Sequence, residues 1–390
     1  MHTPLRVLVG SPGPGMLPDA SADQPPAGTV LLDLGPDHPS RAGLLELRLW
    51  TSDDKISSVD VVVGAMHRGA EKLFEVRDYR QILMLADRHD WQAPFAGELV
   101  IALVCERMLG LEVPLRATWL RTLLAEHTRI LSHLGFLGYV WHALGQPSAA
   151  RPVREQLRAQ TYALTGNRIH PMANRLGGLA VDADAAWLDA ELECMAQVVK
   201  VRAELTELAN GDSFRDLSAG VAVLSQDVAR QYGVSGPAAR ASGLALDLRL
   251  QDPYLAYADL APLISPASAT VTTADAWGRL ATMAHDVAVS VDLVRACVER
   301  LRSLAGPVSV KLGKIVKLPE GEAYLATEGP LGMAGVHLVS RGEKTPWRLK
   351  LRTASFNNVA SLERLLVGLP VSVLEVSLAS MGYVIGDLDK

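Results

Sequence analysis

Cysteine is scarce in this chain. Only Cys105, Cys194 and Cys297 occur in 390 residues, far apart and with no C-x-x-C pair. That spacing excludes a disulfide framework and a thiolate metal centre. The three read as small buried hydrophobes, reduced thiols in a reducing compartment. Aromatic residues make up 5%, so the core must be built mostly of Leu, Val and Ala. No uncharged apolar run reaches the roughly 18 residues that a membrane span needs. The N-terminal MHTPLRVLVGSPGPGM has an apolar patch broken by Pro12 and Pro14, a poor signal peptide. Neither G-x-G-x-x-G nor G-x-x-x-x-G-K-[ST] is present, so no nucleotide loop is expected. Net charge is −5 and the pI is near 6.1. No basic stripe invites nucleic acid, and no polybasic cluster invites anionic lipid. His127 and His133 are six residues apart, a poor spacing for a shared metal.

The composition is otherwise that of a folding chain, 49% hydrophobic and 21% charged, long enough for two or three packed units. Residues 1–28 hold Pro12, Pro14, Pro18, Pro25 and Pro26 and read as a flexible N-terminal extension. A β region follows over 29–78, with short apolar or alternating runs at 30–34, 44–50 and 56–63 joined as a meander or hairpins. From 79 to 306 the pattern turns helical. Apolar residues recur at three and four over 93–109 and 114–144, and further helices are expected over 153–164, 185–209 and 274–304, forming an antiparallel bundle. SGPAARASG, 235–243, reads as a Gly/Ser/Pro loop. The last unit, 307–390, carries strands at 322–327, 336–340 and 347–352, then a helix near 358–367 and an apolar segment at 371–381. The fold class expected is α+β: an N-terminal antiparallel β region, a central helix bundle and a small C-terminal β sheet.

Two stretches carry the strongest motif signal: GPDHPSRAG at 35–43 and GAMHRGAEKLFE at 64–75. GLEVPLRATWLRTLLAEHTRILSHL (110–134), TGNRIHPMANRLGGL (165–179), DPYLAY (252–257), EKTPWRLKLRTASFNN (343–358) and the terminal GDLDK follow in order. Together they resemble the D subunit of bacterial respiratory complex I, the proton-translocating NADH:quinone oxidoreductase, from about Leu31 to the C-terminus. The first stretch is similar to that family's GPQHPSTHG hairpin in the quinone pocket. The second is similar to its HRG segment beside the terminal iron–sulfur cluster of a partner. The resemblance implies a hydrogenase-large-subunit-like fold. The nickel–iron hydrogenases hold their metal through paired C-x-x-C motifs, which these three cysteines cannot supply.

The resemblance also marks what this chain has changed. The family draws donors to the quinone carbonyls from the hairpin's second histidine, from a tyrosine ending an R-x-D-Y motif, and from an aspartate near the end of the long helix. The matching positions here are Ala42, Trp91 (in DRHDW) and Ala143 (in YVWHALG). Alanine neither donates nor titrates, and the Trp91 indole donates a hydrogen bond but cannot deliver its proton. If quinone binds, Trp91 would stack on or donate to the headgroup, with protons from His38, His89 or water. His38 reads either as a pocket residue or as a turn histidine fixing the hairpin. His89 reads as a structural histidine or as a proton source. His67 and Arg68 match the pair beside the partner's cluster, where a cation raises the potential; an ion pair of Arg68 with Glu71 is the plainer reading. Glu98, Glu106, Arg116, Arg121, Glu126 and Arg129 line the two long helices. Arg121, Glu126 and Arg129 read as one polar network or as a solvated, ion-paired face.

The implied function is that of a peripheral-arm subunit of a membrane-associated NADH:quinone oxidoreductase, walling the quinone cavity and coupling electron transfer to proton translocation. The isolated chain would have no activity of its own and bind no cofactor; quinone is the substrate and the iron–sulfur cluster belongs to a partner. The partners implied are the cluster-bearing B subunit, the C subunit and the membrane quinone-channel subunit. The location implied is peripheral, on the cytoplasmic side of the cell membrane. The three lost donors keep open an alternative, a diverged non-catalytic scaffold or assembly subunit.

Overall fold

The computed structural model describes residues 4–11, 28–35, 38–40, 43–143, 145, 148–265 and 271–390. The N-terminal sheet has the order β2-β1-β3-β4, from β1 (Leu5–Ser11), β2 (Thr29–Leu32), β3 (Gly43–Ser52) and β4 (Lys55–Val62). It is antiparallel through β1, β3 and β4, with Val7 opposite Leu47 and Leu47 opposite Val61, and β2 lies parallel to β1. Asp53 and Asp54 both take positive φ, 50° and 60°, which matches the twist of a two-residue hairpin turn. β1 falls inside the segment expected to be flexible. Its Leu-Arg-Val-Leu-Val run precedes Pro12, is rich in β-branched residues, and buries Val7, Leu8 and Val9 at the centre of the sheet. The proline-rich remainder, 12–27, lies outside the described residues.

Next come α1 (Ala70–Glu75), α2 (Tyr79–Ala86), α3 (Pro94–Leu109), α4 (Leu115–Ala143) and α5 (Ala150–Thr165). The signals for their ends are local. Asp78 and Gln81 form a capping box on α2, Pro94 opens α3, and Gly110 in the left-handed region closes it. A small hairpin, β5 (Asn174–Arg175) with β6 (Gly178–Leu179), leads to α6 (Ala185–Asn210). Shorter helices follow: α7 (Asp212–Ser218), α8 (Gln226–Tyr232), α9 (Gly236–Ala241), α10 (Leu248–Gln251) and α11 (Tyr257–Leu260). α12 (Ala276–Ser303) completes the bundle, packing along α4 and α6. Leu120, Leu123 and Ile130 meet Val287, Val291 and Val294 in its core. SGPAARASG is a helix, α9, rather than a loop. Pro237 sits in its first turn, where no N–H is missed, and Gly236 takes φ +66° against the Leu331 carbonyl.

The C-terminal sheet is antiparallel, β7 (Gly321–Gly329), β8 (Gly332–Ser340) and β9 (Arg348–Arg352). It closes a second core with α2 and α3 around Ile82, Val104, Cys105, Val336 and Leu338. The remaining helices are α13 (Ala354–Ala360), α14 (Leu362–Leu365), α15 (Leu374–Met381) and α16 (Ile385–Leu388). α16 returns to the N-terminal sheet, and the Ile385 amide donates to Ser40 Oγ at 2.8 Å.

Arg121, Glu126 and Arg129 are buried rather than solvated, and they belong to two networks, not one. Arg121 grips Glu106 with both ends of its fork, at 2.9 and 2.7 Å. Glu126 instead meets Arg129 at 3.1 Å, Arg249 at 3.3 Å and the Ser290 hydroxyl at 2.6 Å. Five residues along a helix turn a side chain roughly 140° away, so Arg121 and Glu126 face different partners, whereas Glu126 and Arg129 share a face. Next to this second network Arg240 joins Asp286 and Glu328, each at 2.6 Å. Burial alone would push the Glu126 carboxyl up. Arg129 and Arg249 outweigh it and hold it at about 2.

Candidate functional site

Residues His38, Pro39 and Ser40, in the loop that leads into β3, are held by groups from distant parts of the chain. The Pro39 carbonyl accepts from the Trp91 indole at 2.9 Å and from the Gln92 amide at 2.8 Å. Ser40 Oγ takes the Ile385 amide, and the Ser40 amide donates to His38 Nδ1 at 3.1 Å. Because Nδ1 accepts, the neutral ring carries its proton on Nε2. That atom is buried and has no hydrogen-bond partner. The ring stands edge-on to Tyr139, with centroids 4.6 Å apart. Burial drives its pKa down to about 3, so it is neutral near pH 7.

His38 and Pro39 border a cavity of about 500 Å³. α4 supplies Leu134, Gly135, Gly138, Tyr139 and His142; α5 supplies Arg151, Arg154, Glu155 and Arg158; Gln92 and Arg168 also line it. Gly135 leaves room for the Arg154 guanidinium, which a Cβ there would approach to 3.0 Å. Arg154 Nε donates to the Leu131 carbonyl at 3.0 Å, and its Nη2 donates to Gln92 Oε1. Burial, then repulsion from Arg158, lowers its pKa to about 9.

The residues singled out from the sequence divide. His38 lies on the cavity. Ala143 is the last residue of α4, next to the cavity residue His142. Ala42 lies outside the described residues. Trp91 sits behind Pro39, on a void of about 30 Å³ that it shares with Arg154 and Arg158. Its N–H is committed to the Pro39 carbonyl, so the indole straps the loop before β3 instead of donating to a ligand. Its ring packs over Gly386, where any Cβ would collide with it. His89 is not part of this cavity. It lines a separate void of about 50 Å³ with Asp90, Arg352 and Asp387, its Nδ1 3.4 Å from the Gly386 carbonyl. His67 Nδ1 lies 2.7 Å from the Lys390 carbonyl, and the Asp389 carboxylate takes the Gly64 and Met66 amides at 2.7 Å each. Arg68 is exposed beside this joint. Glu71 is engaged by Arg348 at 2.9 Å and Lys350 at 3.1 Å, not by Arg68.

Gln92, Tyr139, Arg154, Arg158 and Arg168 were not picked out from the sequence. One signal was there: Arg151, Arg154 and Arg158 are spaced by three and four, a single face of a helix. Among the described residues no group of three or more His, Cys, Asp or Glu is placed to hold a metal, and no helix is long and apolar enough to cross a membrane.

The family model for the 49 kDa subunit of respiratory-chain NADH dehydrogenase matches residues 147–317 and 310–390. A D subunit of NADH-quinone oxidoreductase from Salinispora tropica is 48% identical over 372 residues, 93% of both chains. One from Streptomyces griseus is 46% identical over 370 residues, 93% of this chain and 92% of that one. The Bacillus cereus D subunit is 33% identical over 364 residues, 92% of this chain and 98% of that one. The chain belongs to the D-subunit family of respiratory complex I. For a D-subunit family member, the α+β fold with its N-terminal sheet, helical middle and small C-terminal sheet is the expected one.

The strap role of Trp91 in this D-subunit chain is open to test. Trp91→Phe keeps the ring over Gly386 but removes the N–H to Pro39, leaving Gln92 as the remaining side-chain donor there. A loss of about 0.5–1.5 kcal/mol is expected, with faster amide hydrogen exchange at Ser40. Unchanged exchange at Ser40 would show that the indole does not hold the loop.

Proposed function

We propose that the chain walls a quinone-binding cavity in the peripheral arm of a membrane-associated NADH:quinone oxidoreductase. The observation that carries this is the buried, neutral His38, which lines the cavity of about 500 Å³ and whose Nε2–H has no hydrogen-bond partner. A quinone carbonyl is an acceptor, and an orphaned neutral donor on a cavity residue is suited to it. The reaction takes two electrons and two protons per quinone. Electrons come from a partner's terminal iron–sulfur cluster. His38 orients the headgroup, and its low proton affinity leaves protons to arrive through water. The subunits in contact are the B subunit, the C subunit and the membrane quinone-channel subunit, and attachment to the cytoplasmic face of the membrane runs through them. Proton translocation is coupled through the same assembly.

Arg68 belongs to the same proposal. Exposed beside the joint of residues 64–67 with the C-terminus, it offers its charge to the partner's cluster, and Arg68→Met lowers that cluster's midpoint potential. An unchanged redox titration of the complex removes the electrostatic role.

A non-catalytic scaffold is the second reading, and one observation favours it: the Trp91 N–H is already engaged, so this position offers no free donor. One experiment separates the two. His38→Leu in the assembled complex raises KM for quinone by roughly tenfold, as expected for a lost hydrogen bond of about 1–1.5 kcal/mol. Turnover with a water-soluble acceptor such as ferricyanide stays unchanged, and His38→Gln recovers part of the loss. A His38→Leu complex with normal quinone kinetics supports the scaffold.

A further inference from the structure

We propose that this cavity selects a quinone whose headgroup carries negative charge, through an ionised ring hydroxyl or carboxyl, and that Arg154 is the group that reads it. This rests on the quinone reading of the same cavity. α5 turns Arg154 and Arg158 to one wall, and Arg168 joins them from the segment after α5. Among the lining residues the carboxylate that faces these cations is Glu155. It is already taken: Arg158 Nη1 donates to it at 2.6 Å, and Arg168 pairs with its other oxygen.

Arg154 therefore keeps its charge against neutral oxygens, the Leu131 carbonyl and the Gln92 amide. Its lowered pKa agrees with a cation whose burial is not compensated. A planar fork in such a place gains more from an anion than from a neutral carbonyl. Its position is built rather than incidental. Gln92 gives its N–H to the Pro39 carbonyl, which turns its Oε1 toward Arg154, while Gly135 yields the space the guanidinium occupies. The cation is thereby tied to the loop that carries His38, so one ligand can meet a neutral donor and a cation together.

The test is isothermal titration of the purified assembled complex at low ionic strength with two probes of similar size. One is 2-hydroxy-1,4-naphthoquinone, ionised near pH 7; the other is the neutral 1,4-naphthoquinone. The anion is expected to bind at least about tenfold more tightly, the gain of a charge-assisted contact, with an advantage that shrinks as salt rises. Arg154→Gln should abolish the advantage, Arg154→Lys should keep part of it, and Glu155→Gln, which frees Arg158 and Arg168, should enlarge it. Equal affinity for the two probes overturns the charge selectivity and leaves the quinone reading standing. Binding of neither probe overturns both. If the Arg154→Gln complex does not assemble, Glu155→Gln decides: unchanged affinity for the anion overturns the proposal.

Discussion

A charge taken out of water must be met by another, and α4 carries several through the middle of the bundle. Arg121, Glu126 and Arg129 lie on it with at most 1% exposure. Desolvating each ion costs several kcal/mol, an amount recovered only where good geometry supplies opposite charge and hydrogen bonds. The partners come from far along the chain: Arg249 on α10 and the Ser290 hydroxyl on α12 meet Glu126, and the Glu328 and Gly329 carbonyls of β7 accept from the Arg129 guanidinium. These contacts fix the rotation of α4. Gly135, nine residues beyond Glu126, then falls on roughly the opposite side of the helix and turns to the cavity. The ionic core and the cavity wall are two faces of one rigid element.

Much of this order was legible in local signals. The three- and four-residue apolar spacing marked α3 and α4 to within a residue or two, and the three C-terminal strands fall where short runs were expected. Two local readings failed for opposite reasons. β1 was hidden by the prolines that follow it, although its own residues favour a strand. α9 was hidden by Gly236 and Pro237, which read as breakers but serve as the helix's first turn. The two separate charge networks were not legible, because which partner a helix face meets is set by elements over a hundred residues away.

The site divides along the same line. His38 was visible because its motif is local. Trp91 was visible as a departure from the family pattern, but its role as a strap depends on Pro39, fifty-two residues earlier. Arg154 was invisible because its meaning comes from what it lacks, a carboxylate of its own, and only the packing of α5 on α4 shows that. Of the three positions singled out in the sequence as departures, Trp91 is turned to structural use. The cavity wall includes a neutral histidine donor and, among its cations, a guanidinium held by neutral oxygens.

The central claim is that quinone occupies the cavity between the loop before β3 and helices α4 and α5. Photolabelling of the assembled complex with an azidoquinone, followed by peptide mapping, tests it most directly. Labels on peptides spanning residues 134–142 and 151–158, suppressed by excess unmodified quinone, are the predicted result. Labelling confined to other subunits, or to surfaces of this chain away from His38 and Tyr139, would contradict it.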